Sequence, residues 1–319
     1  MGFVKFRLFT VLLLMAFLIC ALPLSSYAEG KNVLMFLWQG ETGAEKGFKE
    51  ALDEEFHDQN INYTMLDCYK DIDRLRELIQ ETDESKYDLI YTYGSTITAK
   101  VIKEYHKTPI LFNKVLDPIS YKIIDNWDQK QANLTGASIS IPTDIQIKKI
   151  QEVFGVGNIG LIFNPLDKNS NELKDEMESI LEGKGLELVA FEFNQNFNSL
   201  KGYMDRVKDR VVCIYLPTER QVVGFIQRIF SETNRRKIPT CVTSTSTLKM
   251  GGLLCISADY SEVGKLAGKQ AARILKGAKP ADLPVLRPTE SEIRLYANTS
   301  VVKRFKTELP KDLDINYIK

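Results

Sequence analysis

Asp88-Leu-Ile-Tyr-Thr-Tyr93 and Val211-Val-Cys-Ile-Tyr-Leu216 decide the fold. Each is a short, nearly continuous apolar run, the pattern of a strand buried on both faces. Each is followed by a second echo, Lys107-Thr-Pro-Ile-Leu-Phe112 in one case and Lys237-Ile-Pro-Thr-Cys-Val242 in the other. Tyr91 and Tyr215 lie 124 residues apart, and Pro109 and Pro239 lie 130 apart. An offset that nearly repeats over two landmarks reads as one α/β pattern written twice. It predicts two similar Rossmann-like lobes with parallel sheets rather than one large sheet.

Outward from these segments, the first half reads as strands at Val33–Leu37, Tyr63–Asp67, Leu89–Tyr93, Ile110–Asn113 and Leu134–Ser138. Helices at Ala44–His57, Ile72–Glu81 and Thr96–Tyr105 separate them. The second half repeats the alternation, with strands at Asn158–Phe163, Glu187–Phe193, Val211–Leu216, Thr240–Thr243 and Leu253–Ser257. Its helices read Ser170–Lys184, Leu200–Val207 and Gln221–Thr233. Strands alternating with helices signal a parallel sheet covered on both faces. Beyond Asp259 come a helix at Gly264–Lys276, rich enough in Ala and Gly to pack closely, a turn-rich stretch, and a last strand at Glu292–Asn298. These late pieces assign 29–138 plus 259–284 to one lobe and 139–258 plus 285–319 to the other. The chain then crosses near Ser138–Pro142, Ala258–Ser261 and Pro284–Pro288.

The chain has 319 residues, 44% apolar and 26% charged, with 42 basic and 42 acidic side chains. That balance is globular and excludes a strongly basic nucleic-acid binder. Residues 1–28 read as a signal peptide: Lys5 and Arg7, an apolar run from Leu8 to Leu22, then small residues at Ser26 and Ala28, with cleavage after Ala28. The run is shorter than the roughly 20 residues a membrane span needs. Ile19 before Cys20 argues against lipid attachment. The expectation is an exported protein. Export permits disulfides, but Cys213, Cys241 and Cys255 fall inside apparent strands and read as small core residues.

In open parallel sheets, ligands sit beyond the carboxyl ends of the strands, where helix N-termini aim free N–H groups. The residues there are the candidate ligand contacts. Trp38 and Gln39 follow the first strand, and Trp38 either stacks on a ligand or covers the surface between lobes. Gly94, Ser95 and Thr96 open a helix, and they either hold a carboxylate or serve as a plain N-cap. Asp117 and Pro118 either offer an ammonium partner or form an Asp-Pro turn. The second half contributes Asn164, Thr218, Ser244, Thr245, Asp259 and Tyr260. Tyr93 adds a further aromatic. No G-x-S-x-G elbow, P-loop or metal-spaced His/Cys set occurs. Gly155-Val-Gly-Asn-Ile-Gly160 fits G-x-G-x-x-G in letters only, because it follows a helix and opens a strand, so it reads as a helix stop. Neither an enzyme nor a cofactor is implied.

Val115-Leu-Asp-Pro, Asn133-Leu-Thr-Gly, Phe163-Asn-Pro with Asn169-Ser, and Tyr215-Leu-Pro-Thr occur in order along the chain. The most specific stretch runs from Ala258-Asp-Tyr-Ser-Glu-Val-Gly through Ile274-Leu-Lys-Gly-Ala-Lys-Pro-Ala-Asp-Leu-Pro284. Together they resemble the ABC-transporter substrate-binding protein family with the type I periplasmic-binding fold, in the branch associated with tryptophan and tyrosine. The resemblance covers essentially the whole chain after residue 28. It implies ligand contacts at Ser95, Thr96, Asp117, Asn164, Thr218, Ser244, Thr245 and Asp259. Two stretches depart from the family: Pro217-Thr-Glu-Arg where Pro-Thr-Asp-Asn is frequent, and Trp38-Gln-Gly-Glu where a small polar loop is usual. The implied function is a periplasmic protein that closes its lobes on a small molecule, an amino acid with aromatic ones favoured, and acts as a monomer. It hands the ligand to a permease and ATPase, and meets the membrane only through them. A ligand sensor reporting to a membrane receptor is the alternative, and a periplasmic enzyme a remote one.

Overall fold

The computed structural model describes residues 30–57, 60–128, 132–193 and 197–319. The segment read as a signal peptide lies outside them. A first sheet is built from β1 (Lys31–Leu37), β2 (Ile61–Asp67), β3 (Leu89–Tyr93), β4 (Ile110–Val115) and β5 (Leu134–Ser138) in the order β2-β1-β3-β4-β5, all parallel. A second sheet holds β6 (Ile159–Phe163), β7 (Leu188–Glu192), β8 (Cys213–Leu216), β9 (Thr240–Val242) and β10 (Leu254–Ala258) in the order β7-β6-β8-β9-β10. The two orders are the same, so the repeat read from Tyr91 and Tyr215 is structural. Both tyrosines lie on the third strand of their series, and Pro109 and Pro239 each precede the fourth.

Alternation along β1 shows how one strand serves two cores. Val33, Met35 and Leu37 join one apolar cluster while Leu34 and Phe36 join another on the opposite face. The first cluster continues through Ile141 and Ile147 into Leu161, Tyr215 and Ile256 of the second sheet, so the two lobes share apolar packing where they join. Cys213, Cys241 and Cys255 are buried and free, as small core residues should be.

The helices are α1 (Gly43–Glu55), α2 (Ile72–Glu81), α3 (Gly94–Glu104), α4 (Thr143–Phe154), α5 (Lys168–Glu182), α6 (Phe197–Val207), α7 (Arg220–Gly224), α8 (Ile226–Arg236), α9 (Thr245–Lys249), α10 (Tyr260–Leu275) and α11 (Thr299–Phe305). Gly155 ends α4 at φ 88°, so the G-x-G-x-x-G letters are a helix stop, as expected. The helix expected at Gln221–Thr233 is two. Phe225 leaves helical geometry between α7 and α8, and its ring packs edge-on against Phe193 with centroids 5.5 Å apart. Helix α10 returns to the first lobe and packs along α1. Its glycines allow this: a Cβ at Gly264 or Gly268 would overlap backbone oxygens of Ala44 or Phe48.

From there the chain runs beside β5, where Leu286 N–H donates to Gly136 O and Ser138 N–H to Leu286 O, both at 2.8 Å. It then enters the second sheet as β11 (Ile293–Asn298), antiparallel to β10, followed by β12 (Ile315–Ile318) parallel to β11. The expectation of wholly parallel sheets fails at this one pairing. The reason is the point of entry: Asp259 N–H donates to Glu292 O at 2.7 Å, so β11 begins where β10 ends and must run back along it.

Glu84 staples the first lobe. Its carboxylate accepts backbone N–H bonds from Thr108 at 2.9 Å, Lys107 at 3.2 Å and His106 at 3.4 Å. Burial pushes its carboxyl up, but these donors outweigh that and hold it below its ordinary value of 4.5. A depressed carboxylate adds stability above the unfolded value and loses it as pH falls through the folded one. Glu84→Gln is therefore expected to cost about 1 kcal/mol at pH 7, kept small by solvent screening. The difference from wild type should vanish below the folded carboxyl's pKa, as urea melts across pH 3–7 would record.

Candidate functional site

The carboxyl ends of the first-lobe strands converge on a small polar and aromatic group. A register shift between Asn113 and Val115 marks a bulge in β4, and Lys114 at its centre takes φ 55°. Bulges re-aim a side chain, and a lysine in left-handed geometry is uncommon. Here the lysine chain is carried over two rings. Its Nζ stands 4.5 Å from the centroid of Tyr93 and 4.5 Å from that of Tyr260, and donates to the Tyr93 hydroxyl. Burial raises the Tyr260 hydroxyl's pKa, against the pull of the Lys114 charge. Burial and the nearby Glu45 charge raise that of Tyr93. Both phenols are neutral at pH 7.

Beneath this group lies a buried carboxylate. Glu45 is 0% exposed. Its Oε2 accepts from Thr42 N–H at 2.7 Å and from the Thr42 hydroxyl at 2.6 Å, and its Oε1 from the Tyr91 hydroxyl at 3.1 Å. Asn113 Nδ2 donates to the same Tyr91 oxygen at 3.2 Å. The second lobe echoes the arrangement with the Tyr215 hydroxyl and Gln146 Oε1. These hydrogen bonds fix the start of α1 and the end of β4 relative to each other.

Gly94, at φ 74°, lets α3 begin at once after β3. The N-cap is Tyr93 and no side chain caps the helix, so Ser95 and Thr96 lie inside the first turn and the plain N-cap reading of them is corrected. Asp117 is a turn residue, its Oδ1 accepting from Ser120 N–H at 3.0 Å. It is also a bridge between lobes, because Asn169 Nδ2 donates to Asp117 Oδ2 at 2.7 Å and contacts the Ser120 hydroxyl. Pro118 is buried beside it, its carbonyl accepting from Ile123 N–H at 2.9 Å. Trp38 is half-buried against the apolar cluster on the α2 and α3 side of the sheet, and Gln39 is exposed.

In the second half of the chain most of the sequence candidates are committed to local structure. Asn164 Nδ2 donates to Glu219 Oε1 at 3.2 Å while its Oδ1 accepts from Leu166 N–H at 3.0 Å. Glu219, one of the departures from the family pattern, caps α7 through Gln221 and Val222 N–H at 2.8 Å each. Ser244 caps α9, accepting from Thr247 N–H at 3.2 Å. Thr218 and Thr243 share a hydroxyl contact, and Thr245 opens α9. Asp259 caps α10 through Ser261 N–H at 2.9 Å and pairs with Arg294 Nε of β11 at 3.2 Å.

The structure thus gathers Gly94, Lys114 and Tyr260 on the first lobe. It joins Asp117 to Asn169 across the lobes and leaves Gln39 and Trp38 to one side. Lys114 and Glu45 were not singled out in sequence. The sequence pattern ends the fourth strand at Asn113 and leaves Lys114 as a loop residue without a role, whereas the structure continues β4 to Val115 and places Lys114 on its bulge. Two shallow surface hollows, one beside Glu84 and Tyr105 and one beside Asp205 and Arg236, lie away from these loops. Among the described residues no group of three His, Cys, Asp or Glu could hold a metal, and no helix is long and apolar enough to cross a membrane.

Two sheets of the same strand order, joined by several crossings, with polar loops gathered at strand ends, define a two-lobed protein of the type I periplasmic-binding fold. The profile of the family described as "ABC transporter substrate binding protein" matches residues 35–315, and the chain belongs to that family. It is 25% identical over 285 residues to the Tyrosine-binding protein of Clostridioides difficile, covering 86% of this chain and 80% of that one. Among solved structures it resembles the ligand-free, open form of a substrate-binding protein with adhesive properties from Clostridium difficile. There the TM-score is 0.75 at 19% identity, covering 91% of this chain and 99% of that one. It also resembles an ABC domain in complex with L-Trp from Streptococcus pneumoniae, with TM-score 0.61 at 19% identity, covering 91% and 100%.

Proposed function

We propose that this protein binds an amino acid, with aromatic ones favoured, between its lobes and delivers it to an ABC permease driven by an ATPase. The observation that carries the reading is the group formed by Tyr93, Lys114 and Tyr260 at the first-lobe strand ends, beside an α3 N-terminus that no side chain caps. Aromatic faces, a cation and free N–H groups are what an aromatic amino acid needs. The similarity to the tyrosine-binding protein and to the L-Trp complex supports the ligand class. The lobes are taken as 29–138 plus 259–284 and 139–258 plus 285–319. The packing of α10 on α1 and the pairing of β11 with β10 favour this, while the pairing of Leu286 with β5 favours a third crossing just after that residue. Export through a signal peptide at 1–28, a periplasmic location, a monomeric state and a non-enzymatic role belong to the same reading.

Closure requires a ligand that contacts both halves, because only a difference in affinity between states shifts their populations. A micromolar dissociation constant corresponds to about −8 kcal/mol. At a hundredfold excess over that constant, stability rises by about 2.7 kcal/mol. A thermal-shift screen with L-tyrosine, L-tryptophan, L-phenylalanine, ribose and adenosine is therefore expected to raise Tm by roughly 5 °C with an aromatic amino acid only. A shift with ribose or adenosine alone would sink the amino-acid reading.

A further inference from the structure

We propose that Lys114 is the anion anchor of the cleft, so that the ligand enters with a carboxylate that this lysine takes. The inference rests on the binding role above and adds the residue that chooses the ligand's charge. Three observations carry it. The β4 bulge takes Lys114 itself out of the β5 pairing, which resumes at Val115 and Ser138, and with the φ of 55° it lifts one cation off the strand end. That cation is held in place: Tyr93 and Tyr260 face it at 4.5 Å each, and its one hydrogen-bond partner among the described residues is the Tyr93 hydroxyl. It is also unneutralised, because no ion pair among the described residues includes Lys114, whereas the other charged side chains nearby are engaged. Glu45 is saturated by Thr42 and Tyr91, Asp117 by Ser120 and Asn169, and Asp259 by Arg294 and the α10 amides.

A lysine ammonium has three donors. The rings satisfy its charge only through their faces, and one donor goes to a phenol, so the remaining donors are available to an acceptor. An aromatic cage around a bare cation fixes its position without cancelling its charge, which suits recognition of a carboxylate by a charge-assisted bond. The cage also sets selectivity. An amine ligand without a carboxylate would bring a second positive charge against Lys114, and a neutral sugar would leave the ammonium unpaired.

The test is isothermal titration of the purified protein and of its Lys114→Met and Lys114→Arg variants. The probes are L-tyrosine and L-tryptophan, the amines tyramine and tryptamine, the acids 3-(4-hydroxyphenyl)propionate and indole-3-propionate, and the non-aromatic carboxylates L-glutamate and succinate. Carboxylate ligands are expected to bind wild type and to lose about 10- to 100-fold in Lys114→Met, with Lys114→Arg recovering most of the loss. The amines should bind wild type at least tenfold more weakly than the amino acids and gain in Lys114→Met. Melting temperatures of the variants within about 3 °C of wild type would exclude misfolding. Binding of L-glutamate or succinate alone, with the same Lys114 dependence, would keep the anchor and drop the aromatic ligand. Equal binding of tyramine and tyrosine, unchanged affinity in Lys114→Met, or no carboxylate binding at all would overturn the anchor.

Discussion

Gly264→Ala is expected to destabilise the protein by about 3 kcal/mol, although alanine is the better helix former by roughly 0.5–1 kcal/mol. The reason is the contact between α10 and α1. A Cβ at Gly264 would overlap the Ala44 carbonyl oxygen and stand 3.0 Å from its carbon and 3.1 Å from Phe48 N. These are backbone atoms, so no side-chain rotation relieves the overlap and the helices must separate. Separation opens the apolar cluster shared by Val263, Ala267, Phe48 and Leu52. Tm should fall by roughly 5–10 °C. Gly43→Ala on the same helix pair supplies the contrast. Its Cβ would meet Ser261 at 3.8 Å, ordinary contact, and its effect should stay within about 0.5 kcal/mol. Equal melting of the Gly264 variant and wild type would show that the helices part freely.

Glu45→Ala is expected to cost a further distinct sum of about 3 kcal/mol. A buried carboxylate is stable only when its hydrogen bonds are complete, and here three donors from Thr42 and Tyr91 complete them. Removing it strands the fully buried Tyr91 hydroxyl and the Thr42 amide and opens the capping box of α1. Glu45→Gln should recover only about half, because one of its ends is a donor facing donors. A double-mutant cycle with Tyr91→Phe should return a coupling of about 1–2 kcal/mol. Strict additivity in urea melts would mean that the Tyr91 bond contributes nothing.

The elements easiest to read in sequence were those whose periodicity is enforced by burial on two faces. The apolar run over Leu89–Tyr93 matches its strand to the residue, and that over Leu253–Ser257 matches Leu254–Ala258 to within one. The stretch around Phe225 is harder, because its apolar helical period continues through a break that follows Gly224, where the Phe225 ring packs on Phe193. Strand β12 is not legible in the sequence, since two of its four residues, Asn316 and Tyr317, are exposed and carry no buried period. The site divides in the same way. Strand ends point to loops, so the loops that hold Gly94, Asp117 and Asp259 are legible from position alone. Their engagements with neighbours are not, since Asn169 stands 52 residues from Asp117 in the chain.

Sequence by itself determined the repeated α/β pattern, the small buried cysteines and the tight Gly-Ala helix, because each follows from local periodicity or residue size. Only the tertiary structure decided which of the strand-end residues remain available. Asn164 is bound by Glu219 and Asp259 by Arg294, neighbours distant in sequence, whereas Ser244 is held in the cap of its own helix. Lys114 is freed by a bulge whose geometry depends on β5, the strand beside it.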